Sequence, residues 1–185
     1  MRKAAGLLCA LSLLVPMGMM AAGSAGAAAS ATTQCKTLSG KQTYSPALPI
    51  ITSSATVNST VASTSKLGGC VGGGVTSGTA TAKSSLKAYN CKQFAANLGK
   101  PTKGTASIKW SNGKTSTVAT TLTSKSKPGT SPVIAVLVSK FTAGLFVGHS
   151  STVTLKATGN AGKNTCITAG LSFFTFVNSG PIVSK

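Results

Sequence analysis

The chain of 185 residues contains no aspartate and no glutamate, whereas lysine and arginine together number 18, so its formal net charge is +18. Without side-chain carboxylates it lacks the oxygen ligands that calcium and magnesium usually take. The chain cannot supply the acidic residue of a Ser-His-Asp triad. For general acid–base catalysis it offers only His149 and a terminal carboxylate. The sequence therefore predicts a protein that is not an enzyme, with no catalytic residue, no metal site and no cofactor.

Sequence motifs for catalysis or nucleotide binding are equally scarce. Gly113-Lys114-Thr115 resembles the end of a phosphate-binding loop, but Ile108 stands where the first glycine of that loop belongs. Gly148-His149-Ser150 lacks the flanking glycines of a nucleophile elbow. We interpret His149, the single histidine of the chain, as a solvated loop residue.

Arginine and aromatic residues are too few for specific nucleic-acid recognition. The only arginine is Arg2, and the chain has one tryptophan and two tyrosines. Lysine presents a point charge rather than the planar fork of arginine, and single-strand binding needs aromatic stacking platforms. The lysines are scattered without a dense run. Any contact with anionic cell-wall polymers or other polyanions should therefore be electrostatic and of low specificity.

The N-terminus has the features of a secretory signal peptide. Arg2 and Lys3 precede an apolar segment that Pro16 interrupts, and Ala29-Ser30-Ala31 supplies a cleavage site, although cleavage after Ala27 or Ala29 fits nearly as well. A membrane anchor is the alternative, but the apolar run is shorter than the roughly 20 residues that a span needs. We predict a helical signal peptide at residues 1–31 and one secreted or cell-envelope domain at residues 32–185, with no transmembrane span after cleavage.

Four cysteines remain after the predicted cleavage, which is an even number in an exported chain: Cys35, Cys70, Cys91 and Cys166. This pattern predicts two disulfides. Zinc is the alternative, but no two of these cysteines are close in sequence.

Short alternating runs rich in Thr, Ser and Val, separated by Gly, Pro and Asn, predict an all-β protein. We predict an antiparallel β-sandwich or barrel-like fold of about eight strands, with one short helix near residues 92–98. The predicted strands are 36–45, 55–67, 76–88, 105–111, 114–123, 133–141, 151–158 and 167–178. The predicted core comprises Val57, Val61, Leu86, Ile108, Trp110, Val118, Ile134, Val136, Val138, Leu155, Leu171 and Phe173.

The sequence also predicts one hairpin and the disulfide pairing. Asn112-Gly113 suits a two-residue type I′ turn, which places Thr115 and Thr117 on the same face as Trp110. If the strands run alternately up and down, strand parity brings Cys35 to the end where Cys70 lies and Cys91 to the end where Cys166 lies. Parity therefore favours the pairs Cys35–Cys70 and Cys91–Cys166.

Several segments of the chain form a pattern found in other proteins: Tyr44-Ser45-Pro46-Ala47-Leu48, Gly69-Cys70 and residues 104–117, together with Cys35 and Cys166. In this pattern the chain resembles a group of small secreted β-rich actinobacterial proteins of unknown function. It implies export, disulfides and a β-sandwich, and it transfers no activity and no site residues.

Three functions fit these features. The first is a non-enzymatic secreted or envelope-associated domain that contacts anionic surfaces through its lysines. The second is an extracellular hydrolase with an unrecognised Ser/Lys site. The third is a cationic membrane-active protein.

Overall fold

The computed structural model describes residues 32–126, 132–158, 166 and 168–184. The predicted signal peptide, residues 1–31, lies outside the described residues. The described part contains nine strands and one helix. In chain order they are β1 (Thr33–Leu48), β2 (Val57–Val71), β3 (Gly78–Tyr89), α1 (Cys91–Ala96), β4 (Thr102–Trp110), β5 (Thr115–Ser124), β6 (Ile134–Gly144), β7 (Ser150–Thr158), β8 (Leu171–Asn178) and β9 (Ile182–Ser184).

The first eight strands form a closed antiparallel barrel. Each of them pairs with the next in sequence, and β8 pairs with β1, with Phe176 opposite Gly40. The short β9 pairs with the start of β1 and, at one position, with β7. The predicted all-β fold of about eight strands with one short helix is confirmed, and the architecture is a barrel; β9 was not predicted.

The two disulfides tie the opposite ends of the barrel. Cys35 and Cys70 lie directly opposite each other in the β1–β2 pair, with Cα atoms 3.9 Å apart. Cys91, the first residue of α1, is bonded to Cys166, with Cα atoms 5.6 Å apart. These are the pairs that strand parity predicts.

The apolar interior is divided into two clusters. One fills the end of the barrel where the β4–β5 and β6–β7 turns lie, and we call it the closed end; its largest members are Trp110, Phe141 and Phe146. The rings of Trp110 and Phe146 meet edge to face, with centroids 5.2 Å apart. The second cluster lies at the other end beside α1 and is built from Tyr44, Leu48, Val61, Cys91 and Leu171.

Part of the predicted core is wrong, because β6 and the part of β8 beyond Leu171 bury the opposite face to the one expected, whereas Leu171 itself is buried as predicted. On β6 the inward side chains include Leu137 and Phe141, whereas Val138 is 42% exposed. On β8 Phe176 packs against the core, whereas Phe173 carries the Lys41 ammonium 4.1 Å from its ring centroid. Both segments have apolar residues at odd and even positions, so periodicity alone cannot tell which face is buried.

The β4–β5 hairpin also differs from its prediction. Its loop has three residues, since the Trp110 amide donates to the Lys114 carbonyl over 2.9 Å, and Gly113 alone has a positive φ, of 80°. The extra residue shifts the register by one position, which exchanges the two faces of β5. Ser116 and Val118 therefore face inward with Trp110, and Thr115 and Thr117 face outward.

Candidate functional site

The barrel encloses a cavity of about 400 Å³ between its two apolar clusters. Its wall is formed mainly by apolar side chains, among them Leu38, Ile108, Val118, Leu137 and Val153. A volume of this size lies within the range of roughly 300–1,000 Å³ that is typical of small-molecule sites.

The cavity exists because inward positions on neighbouring strands carry small residues. Gly40 on β1 faces Ser65 on β2, and Ser65 in turn faces Ala80 on β3. On β4 the inward position opposite Thr120 is Gly104. Large side chains fill the two ends, so the space that remains lies in the middle of the barrel.

The barrel wall is open between β3 and β4. Their pairing stops at Thr81 and Ser107, although β3 continues to Tyr89 and β4 begins at Thr102. Ser84 and Gly104 occupy inward positions of these two strands, and yet both are exposed. We call this opening, which lies between residues 82–86 and 102–106, the β3–β4 cleft.

Helix α1 connects the two edges of the cleft and is firmly anchored. Asn90 caps it by accepting from the Gln93 amide over 3.1 Å, while the Gln93 side chain accepts from the Asn90 amide over 2.8 Å. Asn90 also donates to the Ala55 carbonyl over 3.1 Å. The predicted helix is confirmed, with bounds shifted toward the N-terminus, and this segment brings Phe94 and Leu98 to the cavity wall.

Several lysines border this cleft. Residues 83–103 carry five lysines, and Lys83, Lys100 and Lys103 contribute to the cavity wall. The remaining barrel lysines lie on β1, β2, β6 and β7 and at the outer end of β4, so the charge surrounds the barrel rather than forming one basic face.

The cavity also contains a buried tyrosine. Tyr44 is 5% exposed, its hydroxyl accepts a hydrogen bond from the Gln42 amide over 2.7 Å, and its ring lies edge to face with Phe94. Burial raises the pKa of the Tyr44 hydroxyl, and the bond from Gln42 offsets part of that rise. Tyr44 therefore presents a neutral hydroxyl.

His149 lies away from the cavity. Its ring is half-buried and stands edge to face with Phe146, with centroids 6.3 Å apart. Its Nδ1 is buried and has no hydrogen-bond partner among the described residues. The prediction of a solvated loop histidine is therefore wrong, because the turn at residues 144–148 folds this side chain against the aromatic cluster.

No protein-family model matches the chain, and no curated protein and no solved structure matches it. In the described part of the chain, no helix has the length and apolar character needed to cross a membrane. The same residues include no group of three or more His, Cys, Asp or Glu that could hold a metal ion. The function must therefore be argued from the cavity and the cleft.

Neither the cavity nor the cleft is predicted from the sequence. A cavity depends on which residues face each other across the barrel, and a cleft depends on where pairing stops. The available signal was the run of small residues at alternate positions of β2, Ser63 and Ser65, where an apolar core would call for larger side chains.

Proposed function

We propose that the protein is a non-enzymatic binding protein of the extracellular space or cell envelope that holds one small anionic amphiphile. The apolar part of the ligand occupies the barrel cavity, and its anionic group lies at the lysines of the β3–β4 cleft. The observation that carries this proposal is an apolar cavity of about 400 Å³ that opens beside Lys83, Lys100 and Lys103.

The cavity wall supports an apolar ligand. Burying apolar surface contributes about 25 cal/mol per Å². A chain or ring system inside the barrel would contact side chains from both clusters, including Leu38, Leu67 and Val153 of the first and Leu86 of the second.

The cleft supports an anionic group. The sequence has no carboxylate side chain that could neutralise Lys83, Lys100 or Lys103. Lys100 donates to the Asn97 carboxamide oxygen over 3.2 Å, which holds its ammonium on the α1 side of the opening. Because lysine recognises charge more than shape, this site favours a carboxylate or phosphate without strong geometric selection.

The covalent chemistry supports the proposed compartment. Two disulfides are typical of proteins that fold in an oxidising environment. Together with the signal-like N-terminus, they support a ligand carrier outside the cytoplasm.

The sequence predicts that any anion binding is a low-specificity contact with polyanions. The lysines lie on six barrel strands, and this distribution does not favour a single flat surface for such polymers. A long polymer would meet similar charge density on several sides of the barrel. The cleft lysines differ from the others because they adjoin the cavity, which supports a ligand with an apolar part.

Fluorescence tests the proposal directly, because Trp110 is the single tryptophan and contributes to the cavity wall. The oxidised exported protein, freed of bound lipid, is titrated with palmitate and with the uncharged alcohol of equal chain length. We expect saturable binding of one palmitate per chain with a change in Trp110 emission, and weaker binding of the alcohol. Absence of binding by both would refute the proposal.

A matched pair of triple variants tests the role of the cleft lysines. Lys83→Gln, Lys100→Gln and Lys103→Gln together should weaken palmitate binding on the order of tenfold, since each exposed charge contributes about 0.2–1 kcal/mol. The control replaces Lys66, Lys140 and Lys156, which are exposed and lie away from the cavity wall. Equal weakening in both would indicate long-range attraction by the whole charged surface instead of a local site.

A further inference from the structure

A row of hydroxyl side chains crosses five neighbouring strands inside the barrel. In the cross-strand register, Thr120 of β5 faces Ser139 of β6, which faces Ser151 of β7. Ser151 faces Ser184 of β9, which faces Thr33 of β1. All five contribute to the cavity wall: Thr120, Ser139, Ser151, Ser184 and Thr33.

Among the described residues, Ser184 is the one member of the row whose hydroxyl has a hydrogen-bond partner, and Oγ1 of Thr33 is buried without one. Ser184 is engaged, because it accepts from the Thr33 amide over 3.2 Å and donates to the Thr33 carbonyl over 3.1 Å. Within the described residues, the hydroxyls of Thr120, Ser139 and Ser151 make no hydrogen bond, although Ser139 is 9% exposed and Ser151 8% exposed. Since polar groups in a protein interior normally find a hydrogen-bond partner, an oxygen of a molecule in the cavity would give these three hydroxyls the partner that they lack.

The row is one residue wide and lies between two apolar rows. On the side of the closed end, Val118 faces Phe141; on the other side, Leu122 faces Leu137, which faces Val153. An apolar molecule in the cavity would therefore leave this row unsatisfied at one defined level, while contacting apolar side chains above and below.

The row begins at the cleft and leads away from it. Gly104, at the cleft edge of β4, faces Thr120. With strands about 4.8 Å apart, Ser139 and Ser151 lie roughly 10 and 14 Å around the wall from β4. A ligand atom that reaches them is therefore distant from an anionic group held at the cleft.

We propose that the ligand carries an oxygen, as a hydroxyl or carbonyl group, part-way along its apolar portion, and that Thr120, Ser139 and Ser151 bind this oxygen. The preferred ligand is an oxygenated fatty-acid-like amphiphile rather than a plain one. This inference rests on the proposed function and specifies its ligand class.

A series of fatty acids tests the inference on the unmodified protein. Stearate is compared with hydroxystearates that carry one hydroxyl at successive positions from the carboxylate to the chain end. We expect at least one mid-chain isomer to bind about fivefold or more tightly than stearate. If stearate binds and no isomer binds more tightly, the inference is wrong and the proposed function stands; if none of these acids binds, both are wrong.

A variant pair locates the preference. Ser139→Ala with Ser151→Ala should abolish the advantage of the preferred isomer while stearate affinity stays the same or rises. The control, Thr117→Ala with Thr152→Ala, removes exposed hydroxyls from the outer faces of β5 and β7 and should keep the advantage. The melting temperature shows whether the Ser139 and Ser151 variant is folded. If the folded variant keeps the preference, the assignment is overturned. If the variant does not fold, the series on the unmodified protein decides the inference.

Discussion

Ser116 is the inward hydroxyl of β5 nearest the closed end of the barrel, and it joins two other elements. Its Oγ accepts from the Trp110 indole over 2.8 Å and donates to the Leu145 carbonyl. We expect Ser116→Ala to lower the free energy of unfolding by about 1–3 kcal/mol, because the buried indole N–H and the carbonyl both lose their partner. Urea unfolding monitored by Trp110 fluorescence measures this.

Ser139→Ala is the matched control, since Ser139 is also a buried serine of the barrel interior but has no hydrogen-bond partner among the described residues. We expect its free energy of unfolding to change by about 0.5 kcal/mol or less. Equal losses in the two variants would mean that the Trp110 bond contributes nothing specific.

Tyr44 gives the fold a sensitivity to alkali. Burial raises its pKa above the ordinary value of 10.0, so the folded state keeps a proton that the unfolded state loses. The contribution of Tyr44 to the free energy of unfolding is complete below about pH 10. As pH rises further, it is lost at up to about 1.4 kcal/mol per pH unit.

The comparison with Tyr44→Phe isolates this effect, because the two proteins differ only in the Tyr44 hydroxyl. The stability of the wild type relative to Tyr44→Phe should be constant from pH 7 to 9 and should fall above pH 10. Chemical unfolding across this range measures the difference, and a constant difference up to pH 11 would contradict it.

For individual residues, the sequence predicts which side chains are apolar and which catalytic chemistry is excluded. It does not predict which serine hydroxyl forms structural hydrogen bonds. Trp110 and Ile108 are buried as expected. Ser116 and Ser139 look alike in the sequence, and only the position of Trp110 and of the turn after β6 makes one of them a structural residue.

The β4–β5 hairpin depends on a glycine with a left-handed backbone. Gly113 has a φ of 80°, and a Cβ built on it would meet no atom within 4 Å. We expect Gly113→Ala to destabilise the protein by about 1–2 kcal/mol from backbone strain alone.

Gly180 provides the control, because its Cβ would also meet nothing while its φ is outside the positive range. Gly180→Ala should be neutral or slightly stabilising in thermal melts; a loss there as large as at Gly113 would rule out strain as the cause.

The same hairpin shows how far the sequence determines an element. Asn112-Gly113 marks the turn correctly, and the strands on both sides are as predicted. The loop length was wrong by one residue, and one residue is enough to exchange Thr115 and Ser116 between the outside and the inside. On β6, where both faces carry apolar residues, parity is set by packing against β5 and β7.

For the whole molecule, alternation and strand count indicate a closed or nearly closed β structure, but not its cavity. Barrel and sandwich share the same strand pattern, and the choice is made by pairing between β8 and β1. The cavity arises where small residues such as Gly40, Ser65 and Gly104 occupy inward positions on different strands, and the cleft arises where α1 separates the ends of β3 and β4. Neither relation is local in sequence.

The absence of acidic residues gives the whole molecule an unusual response to acid. Acid unfolding usually occurs because carboxylates have lower pKa values in the folded state, so that stability is lost as pH falls through them. This chain has no carboxylate side chain. We expect stability to be nearly constant between about pH 3.5 and 6, because the usual cause of acid unfolding is missing from the side chains.

Salt should act in the opposite direction to its effect on a protein held by ion pairs. Raising ionic strength from 0.1 M to 1 M shortens the Debye length from about 10 Å to 3 Å and screens the repulsion between lysines. Thermal melts of the oxidised protein at pH 3.5, 5 and 6 in low and high salt should show higher melting temperatures at high salt in every case. A steep fall with pH at constant ionic strength would contradict the charge argument. Repeating the melts with His149→Gln would then show whether the half-buried His149, the single histidine of the chain, is the cause.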